Sequence, residues 1–167
     1  MMQNTLIRFL ALMMTALFMV PASADYTDEL LKELTAQTRH LDKPVLKKAL
    51  RAFSNAQAAG LSESTLFTVI DYSKPSNKPR MWVFDLEYGE LLYEELVSHG
   101  RGSGELYARS FSNTPESHQS SLGLFITEEP YYGRNGYSLR LDGLEQGINH
   151  LAKKRAIVIH GADYVTP

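Results

Sequence analysis

The spacing of apolar and polar positions changes character twice along the chain. Residues 9–20 are apolar throughout except for Thr15. Over residues 25–60 the apolar positions recur every three or four residues. They are Leu30, Leu31, Leu34 and Leu41, then Leu46, Ala49, Leu50, Phe53 and Ala56. That is one face of an amphipathic helix, and it predicts two helices. Asp25 or Thr27 is placed to cap the first, and Asp42 the second. Pro44 is tolerated in a first turn, and Gly60 suits a C-terminal stop. From residue 66 the period shortens to that of a strand. Strands are predicted over 66–72, 80–87 and 91–98, separated by a loop at 74–79 and a turn at Tyr88-Gly89. Trp82 and Phe84 fall on one face of the middle strand, with Met81, Val83 and Asp85 on the other. Three strands joined by short loops read as an antiparallel meander, and apolar residues on both faces suggest a sandwich.

The second half is more interrupted. Residues 99–121 form a long polar stretch rich in Gly, Ser, Asn and His, the kind of loop that is usually functional or disordered. A strand over 122–127, a loop over 130–136 and a strand over 137–141 follow. Residues 142–154 read as a short helix or irregular connection. A last apolar run, 156–159, reads as a buried strand. The expected fold class is mainly β with N-terminal helices (α+β). The expected organisation is a signal peptide at 1–24, a helical lead-in at 25–60 and a β-rich domain at 61–167.

Composition narrows the class. The chain of 167 residues has 44% hydrophobic and 22% charged residues, ordinary values for a globular domain. A formal charge of −2, without a basic patch, gives no reason to expect a nucleic-acid partner. Residues 1–24 have the pattern of an export signal. Arg8 is the positive n-region, residues 9–20 the apolar core, and Ala22-Ser23-Ala24 the small-x-small cleavage site. The apolar core falls short of the ~20 residues of a membrane span, so no stable span is expected after cleavage. There are no cysteines, which excludes disulfides, a cysteine metal site and a cysteine nucleophile within these residues. No metal and no cofactor are expected.

The most suggestive chemistry lies at the end of the last strand. His160 follows Ile157-Val158-Ile159 and precedes Gly161. A strand end holds a ring rigidly at a sheet's rim, a suitable place for a general base. The same pattern also fits a histidine whose nitrogens are satisfied by backbone. Tyr131, Tyr132 and Tyr137 with Arg134 suit a peptide cleft, with aromatic faces and a guanidinium for a carboxylate. They equally suit a solvent-facing loop. Trp82 and Phe84 are core residues by default. His118, Asn149 and His150 have no evident role.

The run Arg155-Ala156-Ile157-Val158-Ile159-His160-Gly161-Ala162-Asp163-Tyr164 resembles the YkuD-like murein L,D-transpeptidase catalytic domain family. Ser98-His99-Gly100-Arg101-Gly102-Ser103-Gly104, Phe111-Ser112-Asn113-Thr114 and Ser120-Ser121-Leu122-Gly123 fit the same family. So do Tyr132-Gly133 through Gly136-Tyr137-Ser138-Leu139-Arg140-Leu141 and Gly143-Leu144-Glu145. The segments occur in the family's order over about residues 60–167. The resemblance implies a β-sandwich-like fold, incomplete at the C-terminus, in an exported protein of the periplasm or cell envelope. It implies peptidoglycan stem peptides as partners. Family members cleave the bond between the diamino acid and D-alanine of a stem tetrapeptide through a cysteine acyl-enzyme. His160 matches the family's base, and Gly161 matches the position whose carbonyl orients that imidazole. Ser120 and Ser121 lie, by resemblance, near the substrate groove. The family's nucleophilic cysteine follows the histidine in a Ser-x-Gly-Cys type segment. These 167 residues contain no cysteine, so the expectation is a family protein truncated before its nucleophile and inactive as given. A non-catalytic peptidoglycan-binding module or relic is the alternative. Whether the chain acts as an enzyme, and its oligomeric state, stay open at this point.

Overall fold

The computed structural model describes residues 24–167, with side chains from residue 28. The export-signal reading of residues 1–24 therefore falls outside the described residues, apart from the backbone of Ala24, and so do the side chains of Asp25 and Thr27. Two helices lead, α1 (Ala24–Gln37) and α2 (Lys43–Ala58). Six strands follow: β1 (Leu66–Ile70), β2 (Met81–Asp85), β3 (Glu90–Glu95), β4 (Phe125–Gly133), β5 (Gly136–Gly143) and β6 (Val158–His160). They form two antiparallel three-stranded sheets, ordered β1-β2-β3 and β4-β5-β6. The expectation of a mainly β chain with leading helices holds.

The first sheet owns the core. Phe67, Val69, Trp82 and Phe84 are buried on one face, against Leu30, Leu31 and Leu34 of α1 and Leu46 and Leu50 of α2. Trp82 and Phe84 are both 0% exposed, as the alternation in β2 requires. Burying a large side chain contributes about 1.5–3 kcal/mol, so this layer dominates the hydrophobic stabilisation.

The helix boundaries follow the sequence signals with one change. Pro44 sits in the first turn of α2, and Gly60, with φ +69, follows its end in a conformation that glycine adopts without steric cost. Asp42 occupies the N-cap position, yet its side chain makes no capping hydrogen bond. Its carboxylate instead pairs with Lys74 Nζ at 3.2 Å, which ties the helix start to the β1–β2 loop.

The second sheet departs most from expectation. Residues 130–136 are not a loop. β4 continues to Gly133, Arg134 and Asn135 make the turn, and β5 starts at Gly136 with φ +76. Backbone pairing extends to Gly133↔Gly136, so Pro130, Tyr131 and Tyr132 are strand residues. Residues 144–156 are a series of turns, the irregular connection rather than the short helix of the two expected alternatives. β6 pairs with β5 through Ser138↔His160, Leu139↔Ile159 and Arg140↔Val158.

Candidate functional site

His160 ends β6 and is half-buried. Its ring Nδ1 lies 2.9 Å from the backbone oxygen of Gly161. A carbonyl only accepts, so Nδ1 carries the proton and donates. Nε2 is then the basic nitrogen, and no hydrogen-bond partner for it occurs among the described residues. Gly161 is exposed, with open space where a Cβ would stand.

The approach to β6 is fixed by Arg155. One terminal nitrogen donates to Ser121 Oγ at 2.6 Å and to the carbonyl of Ser112. The other donates to Ser117 Oγ at 3.0 Å and Gln119 O at 2.6 Å. One guanidinium thus gathers four points of the long 99–121 loop, using the fork that lysine lacks. Burial lowers the Arg155 pKa from its ordinary value. The next residue, Ala156, has φ +54, and Glu116 and His118 in the clamped loop have φ +58 and +54. Every described non-glycine residue in the left-handed region lies in this loop or beside its clamp. Strained backbone of this kind persists only where surrounding contacts determine it.

The other flank of the loop rests on Arg80, which is 0% exposed. Its Nε donates to Val97 O at 2.9 Å, and its terminal nitrogens donate to Lys74 O and His99 Nδ1, each at 2.8 Å. The guanidinium lies 5.1 Å over the Tyr72 ring. Burial lowers the Arg80 pKa, opposed by the nearby Tyr72 and Asp71. Burial raises that of Tyr72, opposed by a hydrogen bond to Ser120 and by the charge of Arg80. Asp71 Oδ2 is buried without a hydrogen-bond donor, and Lys74 Nζ stands 3.7 Å away, close enough for charge but too long for a hydrogen bond. Since Arg80 can only donate, His99 Nδ1 accepts, and Nε2 donates to Gly104 O at 3.2 Å. Both ring nitrogens of His99 are therefore engaged within the protein. His118 also has a partner, Arg101, at 3.0 Å.

The remaining residues singled out from sequence fall into separate places. Ser120 Oγ accepts from Gly100 N at 2.9 Å, and Ser121 Oγ donates to Ser112 O at 2.8 Å. Both hydroxyls are engaged inside the loop. Tyr132 and Tyr137 are cross-strand partners with ring centroids 5.1 Å apart, exposed near the β4–β5 hairpin tip beside Arg134. Paired residues share a face and neighbours alternate, so Tyr131, Ser138, Arg140 and His160 lie on one face. Tyr132, Tyr137 and Leu139 lie on the other.

Sequence reasoning passed over three residues. Arg155 was only the head of an apolar run. Arg140 was only a strand residue. Asn149, left without a role, is 0% exposed; it donates to Leu124 O at 2.9 Å and accepts from Glu145 N at 2.8 Å. It leaves no room nearby: a Cβ on Gly143 would meet the Asn149 carbonyl oxygen at 2.1 Å. One on Gly123 would meet Glu145 Oε2 at 2.0 Å. Among the described residues no group of three His, Cys, Asp or Glu side chains is placed to hold a metal ion. No described helix is long and apolar enough to cross a membrane.

The strand-end imidazole of His160 thus has one nitrogen held by a backbone carbonyl and the other without a partner among the described residues. The chain matches the family model described as the L,D-transpeptidase catalytic domain over residues 37–167, and it belongs to that family. The match begins at residue 37, so α2 lies inside it along with both sheets. No curated protein and no solved structure matches the chain.

Proposed function

We propose that this chain is an exported, envelope-located protein that binds peptidoglycan stem peptides, with His160 as the proton acceptor of the family's acyl transfer. The observation that carries this reading is the Nδ1 bond from His160 to Gly161 O, which leaves Nε2 basic. In family chemistry that nitrogen takes the proton of a thiol as the thiolate attacks the diamino acid carbonyl. The 167 residues contain no cysteine. On these residues alone the proposed activity is recognition without cleavage. The same absence favours a second reading, a peptidoglycan-binding module that works without a nucleophile.

The test uses the full chain and a stem tetrapeptide. Binding should shift the His160 imidazole resonances, and no D-alanine should be released. Release above that of a His160→Ala chain would overturn the cysteine-dependent reading. An unperturbed imidazole at saturating peptide would overturn the placement of the site. For export, N-terminal sequencing of protein recovered from the envelope should begin at Asp25; an intact Met1 chain confined to the cytoplasm would contradict it.

A further inference from the structure

Ser138, on the central strand β5, stands directly across from His160. It pairs with His160 on one side and with Tyr131 on the other, so the three form one row across the second sheet. Paired residues point to the same face. The ladder also fixes how near they are. Leu141 N donates to Ile157 O at 3.3 Å, which makes Leu141 and Ile157 a hydrogen-bonded pair. Pair types alternate along an antiparallel ladder, so Leu139 and Ile159 are hydrogen-bonded and Ser138 and His160 are not. Partners of the second type stand about 4.5 Å apart at Cα, with their side chains the closer for it. Ser138 is 2% exposed. Its hydroxyl donates along its own strand, to Gly136 O at 3.2 Å, and no hydrogen bond joins it to the imidazole.

The two flanks of Ser138 differ in rigidity. On the β4 side the Tyr131 ring is held twice. A Cβ on Gly133 would stand 2.6 Å from Tyr131 Cε2, so the ring lies against backbone that has no side chain there. The Arg140 guanidinium carbon lies 4.0 Å from the centroid of the same ring, and Arg140 Nε pairs with Glu129 Oε1 of β4 at 3.4 Å. A ring stacked under a guanidinium and backed by main chain resists displacement. On the β6 side the imidazole has one hydrogen bond among the described residues, Nδ1 to Gly161 O at 2.9 Å. Bulk added at Ser138 therefore meets a fixed ring on one side and a singly anchored ring on the other. The imidazole is the one that yields.

We propose that Ser138 is a positioning residue for His160, whose small side chain leaves the imidazole the room to turn Nδ1 to Gly161 O and so to present Nε2. The inference rests on the reading of His160 as the proton acceptor and names what sets its ring. Serine places one atom beyond Cβ, and that atom is turned toward Gly136. A β-branched residue places two, and its stiff χ1 cannot turn both away from the facing ring. The ring then leaves Gly161 O. With that bond lost, nothing among the described residues keeps the proton on Nδ1, and the basic lone pair is divided between the two nitrogens. The size of residue 138 thus acts on the chemistry through the histidine's tautomer, without touching substrate.

The experiment reads the two imidazole nitrogens of His160 by magnetic resonance of the isotope-labelled full chain, with the ring neutral. The wild type should carry the proton on Nδ1 as a single tautomer, and Ser138→Ala should keep it. Ser138→Val and Ser138→Thr, residues that suit a strand, should both lose it and show averaged nitrogen resonances. Ser138→Thr retains the hydroxyl and carries the test by itself if Ser138→Val fails to fold. Leu139→Val, the next residue but on the opposite face, should leave the tautomer unchanged, which separates a moved ring from a loosened sheet. A single Nδ1–H tautomer in the folded Ser138→Thr or Ser138→Val chain would overturn the positioning role. Loss of the tautomer in Ser138→Ala would do the same, since small size would then not suffice. A wild-type ring with its proton on Nε2 would overturn the reading of His160 and this inference together. A wild-type tautomer as expected, with no response to a saturating stem tetrapeptide, would remove the stem-peptide reading and leave the role of Ser138 standing.

Discussion

The β1-β2-β3 and β4-β5-β6 sheets have the same strand number and the same antiparallel pairing, and they are held by different means. The first buries Phe67, Val69, Trp82 and Phe84 under two helices. The second contributes no strand residue to the apolar core; its one buried strand residue is Ser138. Leu139, Leu141, Ile157 and Ile159 are all half-buried. Position in the second sheet is set by hydrogen bonds instead, through Arg155, Asn149 and the turns of 144–156. Apolar burial is non-directional, whereas hydrogen bonds fix angles. The proposed base, His160, lies on the half held by directional contacts, while the apolar half supplies most of the stability.

Core truncation gives the largest expected effect. Trp82→Ala should cost about 3–5 kcal/mol, and Leu139→Ala about 1 kcal/mol, in denaturant melts. Equal costs would dissolve the contrast between the sheets. Next comes the clamp. Arg155→Gln should destabilise by about 2 kcal/mol and raise amide exchange across residues 112–121, while leaving exchange in β1 and β2 unchanged. Uniform acceleration would show that the two halves open as one unit. The smallest effect has the opposite sign. Ala156→Gly removes left-handed strain of about 1–2 kcal/mol at a chain-entropy cost of about 0.5–1 kcal/mol. A net stabilisation of roughly 0.5 kcal/mol is expected by thermal melting, and a loss of stability would mean that the Ala156 methyl packs more tightly than its exposure suggests.

What could be read from sequence follows the same division. Both helices, the alternation of β2 and the burial of Trp82 and Phe84 are local periodicities, and periodicity is written in one stretch of chain. The histidine at the end of β6 was legible for the same reason. The hairpin was misjudged although Asn135-Gly136 is a known turn signature, because Pro130 and the adjacent polar residues suggested a loop. Its irregular register between Thr127 and Pro130 accommodates that proline. Asp42 could be placed at a helix start, but its partner Lys74 is 32 residues away. The four acceptors of Arg155 lie 34 to 43 residues upstream. No local pattern encodes such pairings, so the clamp, the partners of His99 and the role of Asn149 became visible only in three dimensions.

The close approach of Gly143 and Gly123 to Asn149 and Glu145 bears on how this chain can drift over generations. At both positions the first carbon of any side chain would collide with a neighbour already there. At Gly143 the obstacle is the backbone of residue 149, a steric wall that no side-chain change at that residue removes, so a replacement there must wait for the 145–150 turn to shift. At Gly123 the obstacle is the Glu145 carboxylate, which could swing aside only by giving up its bond from Leu124 N.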